Sequence, residues 1–262
     1  MNTKTTIFGL ALSGGGHKGL AHAGILQFLN EQGIYPEVIS GTSAGSIVGS
    51  LYANGKKPEE ILDFFKSISL FSWSHISFRK AGFLDASQFS RYLYKEFGDK
   101  KIQDLSSEIY ISATEIETGK LKIFSKDTKI VDAVLASSAF PGIFTPVVIN
   151  NKFYSDGGIV NNYPVNTIQG RCDFLIGSNV NPVIVYNQTR LTSIKSVALR
   201  AMEIMMRQNT YTQSQLCDWH IQAESLADYS TFETSKKRMD EIFQIGYEEA
   251  KKSFKKIEDK LT

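Results

Sequence analysis

The chain opens on a short, mostly apolar run over residues 6–12, the length of a buried strand rather than a helix. Gly14, Gly15 and Gly16 end it. Beyond them Leu20, Ala21, Ile25, Leu26, Phe28 and Leu29 recur at helical spacing over residues 17–32, and Gly33 supplies the stop. Residues 37–40 predict a second short strand, residues 42–54 a helix ended by Gly55, and Pro58 opens another. Residues 59–97 are rich in aromatic side chains and predict helices around an irregular stretch at 69–81.

Further along, residues 109–114 and 121–124 read as strands, and residues 130–138 as a helix that stops before Pro141. Residues 147–155 predict a hairpin turning at Asn150-Asn151. Residues 174–180 are an apolar strand, and 193–209 and 239–261 are the long helices of the tail. Strands alternating with helices predict an α/β fold: one domain over residues 1–262, a three-layer sandwich around a mostly parallel sheet. No repeat, low-complexity tract or linker interrupts it.

Composition narrows the function classes. A net charge of +2 from 29 basic and 27 acidic residues gives no footprint for nucleic acid. Cys172 and Cys217 stand alone, without the spacing of a disulfide framework or a zinc site. Residues 1–6 are polar and the first apolar run is too short for a signal segment, while no run of about 18 apolar residues spans a membrane. The expectation is a cytoplasmic protein that can visit membrane surfaces. The tail helix carries Met239, Ile242, Phe243, Tyr247, Phe254 and Ile257 on one stripe with Lys251, Lys252, Lys255 and Lys256 nearby. That pattern suits packing on its own domain or lying on an anionic bilayer.

Three short motifs carry chemistry. Gly41-Thr42-Ser43-Ala44-Gly45 matches G-x-S-x-G between a strand and a helix, the setting of a nucleophile elbow in which Ser43 is thrust out of the backbone. Glycines on either side let strand and helix pack closely, and the helix N-terminus favours an alkoxide-like oxygen. Gly14 to Gly19 follows the first strand and exposes successive N–H groups at a helix start, which suits an oxyanion hole. The same letters spell the dinucleotide fingerprint G-x-G-x-x-G. That alternative needs an acid at the end of the second strand, where this chain runs into the elbow; Glu37 lies too early. Asp156-Gly157-Gly158 fits an Asx turn and a general base equally well. Of the four histidines, His220 would complete the order Ser43, Asp156, His220 of α/β-hydrolases. Against it, Trp219, Ile221 and Ala223 alternate with His220 and set it on the solvent face of a strand.

In this order, the glycine loop, the elbow and Asp156-Gly157-Gly158 resemble the patatin-like phospholipase family. So do the stretch 137–144 and Asn161-Asn162-Tyr163-Pro164; the resemblance covers about residues 5–182. It implies an α/β sandwich cleaving acyl esters of lipids with a Ser–Asp dyad and neither metal nor cofactor. Carried over residue by residue, Ser43 is the nucleophile, Asp156 the proton acceptor, and the backbone of Gly14, Gly15 and Gly16 the oxyanion site. Gly19, Gly41, Gly45, Gly157 and Gly158 are motif positions. Lys18 departs from the arginine usual in the family, and a point ammonium is not a planar fork. An acyltransferase using the same dyad is the alternative within this chemistry. Beyond about residue 183 no motif is diagnostic.

Overall fold

A computed structural model describes residues 6–68, 86–182, 185 and 191–260. The irregular stretch expected at 69–81, with His75, lies outside them. In chain order the strands and helices are β1 (Phe8–Leu12), α1 (Leu20–Glu31), β2 (Val38–Thr42), α2 (Ala44–Ala53), α3 (Pro58–Ile68) and α4 (Ala86–Phe97), then β3 (Glu108–Glu115), β4 (Lys120–Ile123), α5 (Ile130–Ser137), β5 (Val147–Ile149) and β6 (Lys152–Asp156). They continue with α6 (Gly158–Asn161), β7 (Phe174–Ser178), α7 (Ile194–Met206), α8 (Thr210–Ser214), β8 (Trp219–Ile221) and α9 (Lys236–Phe254).

Among the described residues the sheet order is β5-β6-β3-β2-β1-β7-β8, with β4 paired to β3 off this path. The pairs β1–β2, β2–β3, β1–β7 and β7–β8 are parallel; β5–β6, β3–β6 and β3–β4 are antiparallel. The mostly parallel α/β sandwich predicted from the sequence is what the chain adopts. Asn150 and Asn151 turn the β5–β6 hairpin with φ of 51° and 61°, the left-handed geometry that asparagine tolerates.

The two-residue period of the strands sorts their side chains between two layers. Leu10, Leu12, Ile39, Ile109, Ile111 and Ile176 face one core, shared with Leu26 and Leu29 of α1, Leu51 of α2 and Ile242 of α9. Ala11, Val38 and Leu175 face the other side, under Tyr163, Val165 and Ile168. Small residues on that face bring the irregular 163–168 segment close to the sheet.

The stripe on α9 is buried: Met239, Ile242, Phe243 and Ala250 pack inward, and Phe28 of α1 stacks edge-on against Tyr247 and Phe254. Where α1 and α9 cross, two glycines meet backbone to backbone. A Cβ on Gly24 would lie 1.9 Å from the Phe243 carbonyl oxygen, and one on Gly246 2.0 Å from that of Ala21. No helix among the described residues is long and apolar enough to cross a membrane.

The helix predicted over 193–209 is shorter. Ser193 caps α7 by accepting a hydrogen bond from the Ser196 N–H, and the helix gives way at Arg207 to a turn before α8. The helix predicted over 239–261 instead begins at Lys236, capped by Ser235, and ends at Phe254.

Candidate active site

The glycine loop and the elbow both lie just past the C-terminal ends of parallel strands, β1 and β2, where open α/β sheets place their ligands. Ser43 sits at φ 52° and ψ −121°, a left-handed backbone that a non-glycine residue adopts only when its surroundings enforce it. Enforcement comes from the flanking glycines. A Cβ on Gly41 would meet the Gly45 carbonyl oxygen at 2.5 Å, and one on Gly45 would meet that of Leu12 at 2.2 Å. Strand and helix are thus closer together than side chains permit, and the turn between them must push residue 43 outward. Its N–H donates to the Ser137 hydroxyl at 2.9 Å, which ties the elbow to the end of α5.

Asp156 ends β6 and is fully buried. One carboxylate oxygen, Oδ1, accepts the Gly158 N–H at 2.8 Å, so the glycine pair serves the carboxylate directly. The other, Oδ2, is buried with no hydrogen-bond partner among the described residues. Burial pushes the Asp156 carboxyl up to about 6, while the Gly158 N–H and the nearby Ser43 hydroxyl pull the other way. A buried carboxylate oxygen without a partner, beside a serine hydroxyl, has the lone pair and the position to accept a proton.

The sequence leads us to expect oxyanion donors from the backbone of Gly14, Gly15 and Gly16. Gly14 donates its N–H to the Asn162 carbonyl at 2.9 Å, and its own carbonyl accepts from Ser13 Oγ at 3.1 Å and from the Asn181 side chain. The Gly14 peptide is therefore a strut, and its N–H is engaged. The N–H groups of Gly15 and Gly16 have no partner among the described residues, and both residues line the same cavity as Ser43 and Asp156. Gly19 closes the loop against the elbow, its α-carbon facing the Ala44 methyl.

The loop is braced from beneath by His22, which is fully buried. Its Nε2–H donates to the Ser13 carbonyl at 2.9 Å and Nδ1 accepts from Ser178 Oγ at 2.6 Å, an assignment forced by the carbonyl. Burial lowers the proton affinity of His22 to about 4, so the ring is neutral and can hold both bonds.

His220 does not join this site. Its Nδ1 lies 3.0 Å from the Tyr163 hydroxyl on the far face of the sheet. It is half-buried rather than on a solvent face, because the 163–168 segment covers that side.

Ser43 and Asp156 open onto a cavity of about 430 Å³ whose lining also comes from the tail: Glu203 and Met206 of α7, Arg207 just past its end, residues 227–233, and Arg238 of α9. Lys18 lines it too and is only 4% exposed. Burial and the neighbouring Arg207 lower the Lys18 ammonium to about 8, against the pull of Glu203 and Asp228. Of these tail residues the sequence singles out Met206, whose helical spacing with Met202 and Met205 suits core packing or the flank of an acyl pocket; the others belong to no motif. Asn162 and Ser137 lay inside stretches already singled out, but their roles as carbonyl and hydroxyl acceptors depend on contacts far apart in the chain.

Known proteins bear on this arrangement. The model of the patatin-like phospholipase family matches residues 10–168. Lysophospholipase NTE1 of Candida glabrata is 34% identical over 185 residues, covering 67% of this chain and 10% of that protein. Its namesake in Saccharomyces cerevisiae is 32% identical over 172 residues, covering 62% and 10%. The chain thus spans about a tenth of the length of these relatives. Among solved structures, VipD from Legionella pneumophila superposes with a TM-score of 0.59 at 16% identity, over 97% of this chain and 67% of that one. The type III effector ExoU gives 0.51 at 13% identity, over 97% and 53%. At such identities the likeness is one of fold, but the family match across most of the motif-bearing chain goes further: the chain belongs to the patatin-like phospholipase family.

Proposed function

We propose that this chain hydrolyses fatty-acyl ester bonds of lipids through an acyl-Ser43 intermediate, with Asp156 as the general base. The observation that carries the reading is the unpartnered, buried Oδ2 of Asp156 in one cavity with a serine held at positive φ. Family membership and the lysophospholipase relatives support the same chemistry.

As Ser43 Oγ attacks the ester carbonyl carbon, its proton passes to Asp156 Oδ2. The carbonyl oxygen becomes an oxyanion facing the N–H groups of Gly15 and Gly16, each such donor being worth on the order of 100–1,000-fold in rate. Collapse breaks the bond to the alcohol oxygen, which takes the proton from Asp156 and leaves. Water then attacks the acyl-enzyme, Asp156 takes its proton, and the fatty acid departs as the proton returns to Ser43. A carboxyl held near 6 is a better match to this work at neutral pH than a solvated aspartate near 3.8.

Hydrolysis of a short-chain nitrophenyl ester tests the reading. Ser43→Ala and Asp156→Asn should each lose at least about 1,000-fold in kcat/KM, as members of one catalytic unit do. His220→Ala should stay within about two-fold. A large loss in the histidine variant with a mild one in Asp156→Asn would defeat the dyad.

A further inference from the structure

Asn161, Asn162, Asn179 and Asn181 are all buried beside the catalytic motifs. Three of them have their side chains engaged. Asn161 donates to the Asn166 amide oxygen at 2.9 Å, Asn179 to that of Gln222, and Asn181 to the Gly14 carbonyl. Asn162 is different. Its main-chain carbonyl holds the Gly14 N–H, but its side-chain amide makes no hydrogen bond with another described residue. A buried amide of this kind lacks its full set of bonds until a substrate or solvent molecule supplies them.

That amide stands between the two catalytic residues. The space that side chains on Gly14 and Gly158 would fill is taken by Asn162 Oδ1: a Cβ on Gly14 would lie 2.3 Å from it, and one on Gly158 2.6 Å. The first of those points is 3.2 Å from Ser43 Cβ and the second 3.0 Å from Asp156 Oδ1. The two motif glycines therefore admit the amide between nucleophile and base. With Oδ1 turned toward two α-carbons, whose C–H groups suit an acceptor, the N–H end is left for the cavity that Asn162 lines with Ser43 and Asp156.

We infer that Asn162 is a third catalytic group, its side-chain N–H holding the oxygen that exchanges a proton with Asp156: the leaving alcohol oxygen in acylation and the attacking water in deacylation. The inference rests on the hydrolase reading of the site. A water bound to Asp156 Oδ2 by one hydrogen bond can still swing about it, and a second partner fixes its remaining lone pair on the acyl carbon. In deacylation Asn162 Nδ2 donates to the water oxygen, and one water proton passes to Asp156 Oδ2. The oxygen bonds to the acyl carbon, the bond to Ser43 Oγ breaks, Oγ takes the proton back, and the amide keeps both of its own. In acylation the same N–H steadies the departing alkoxide until Asp156 protonates it. The oxyanion is served separately, by Gly15 and Gly16. A nitrophenolate leaves without such help, because it is a weak base; an alkoxide does not.

The test separates the two half-reactions with nitrophenyl butyrate and ethyl butyrate, which share one acyl group. Asn162→Leu keeps the branched shape and Asn162→Ala removes it; both leave the main-chain carbonyl that holds Gly14. On the nitrophenyl ester, the rate of the nitrophenol burst, which reads acylation, should stay within about three-fold of wild type. The steady rate after the burst, which reads deacylation, should fall by about ten-fold or more, the scale of one hydrogen bond. KM should fall with it. On the ethyl ester kcat/KM should itself drop by about ten-fold or more, since its leaving group needs the amide. Hydroxylamine, a stronger nucleophile than water, should raise the steady rate of either variant by a larger factor than that of the wild type. Burst and steady rates that fall in equal proportion would mean a structural or oxyanion role and overturn the inference, as would rates that do not fall in Asn162→Leu or an equal hydroxylamine factor in all three proteins. A Ser43→Ala protein as active as the wild type would overturn the hydrolase reading and this one with it. A rate that depends on Ser43 but shows no such split between steps overturns only the role of Asn162.

Discussion

At the scale of single residues, two buried titratable groups lean in opposite directions. Asp156 binds its proton more tightly folded, near 6, than its ordinary 3.8, so its contribution to stability is lost as pH rises through that window. The difference is about 3 kcal/mol at neutral pH. His22 binds its proton less tightly folded, near 4 against 6.5, so its contribution falls away as pH drops from 6.5 toward 4, by a similar amount. Between pH 4 and 6 the two slopes largely cancel. Asp156→Asn should therefore raise the melting temperature at pH 8 and make it fall more steeply on acidification; a melting curve series from pH 4 to 8 checks both. In the wild type, kcat/KM for an ester should have an acid limb centred near pH 6 and drop ten-fold per unit below it. A limb centred near 4 would mean that Asp156 works as an ordinary solvated carboxylate.

These residues were unequally legible. Ser43 and Asp156 announce themselves through glycine neighbours. His22 looked like one of several histidines on a helix, because nothing local says that its ring will meet the Ser13 carbonyl and a strand more than 150 positions away.

At the scale of elements, the turn between β2 and α2 is the strained part. A left-handed non-glycine residue costs on the order of 1–3 kcal/mol. Ser43→Gly should accordingly be more stable than Ser43→Ala by about 1–2 kcal/mol in urea unfolding, though both are inactive. Equal stabilities would mean that the elbow is relaxed. The sequence predicted this turn well, since G-x-S-x-G is a local packing device, and the same holds for the Asn150-Asn151 hairpin. Strand neighbours are another matter. The alternation of Trp219, His220 and Ile221 correctly indicated a strand, yet it could not say that β8 would add to β7 or that Tyr163 would cover His220. The early end of α7 is likewise non-local: Arg207, where the helix gives way, is also a wall of the cavity.

For the molecule as a whole, the chemistry and its surroundings come from different parts of the chain. The family match ends at residue 168, while much of the cavity lining around Ser43 is built from residues 203–238. Sequence reading found the first part because catalytic geometry demands particular residues at fixed spacing. It found nothing diagnostic in the second, because a wall needs only shape and charge, which many sequences supply.

The crossing of α1 and α9 joins these two parts, with consequences for how the site could be tuned. Interlocked main chains at Gly24 and Gly246 have no side chain to compress, so neither helix can slide or lift without a collision. Arg238 projects into the mouth from the same rod, eight residues or about 12 Å before Gly246. A single methyl group added at position 246 would wedge the rods apart and swing that lever. Gly246→Ala should therefore lower thermal stability and shift relative rates among acyl chains of different length, with the pH midpoint of the reaction left in place. The seam would thus act as a gauge block, fixing the aperture of the mouth from a point that no substrate touches.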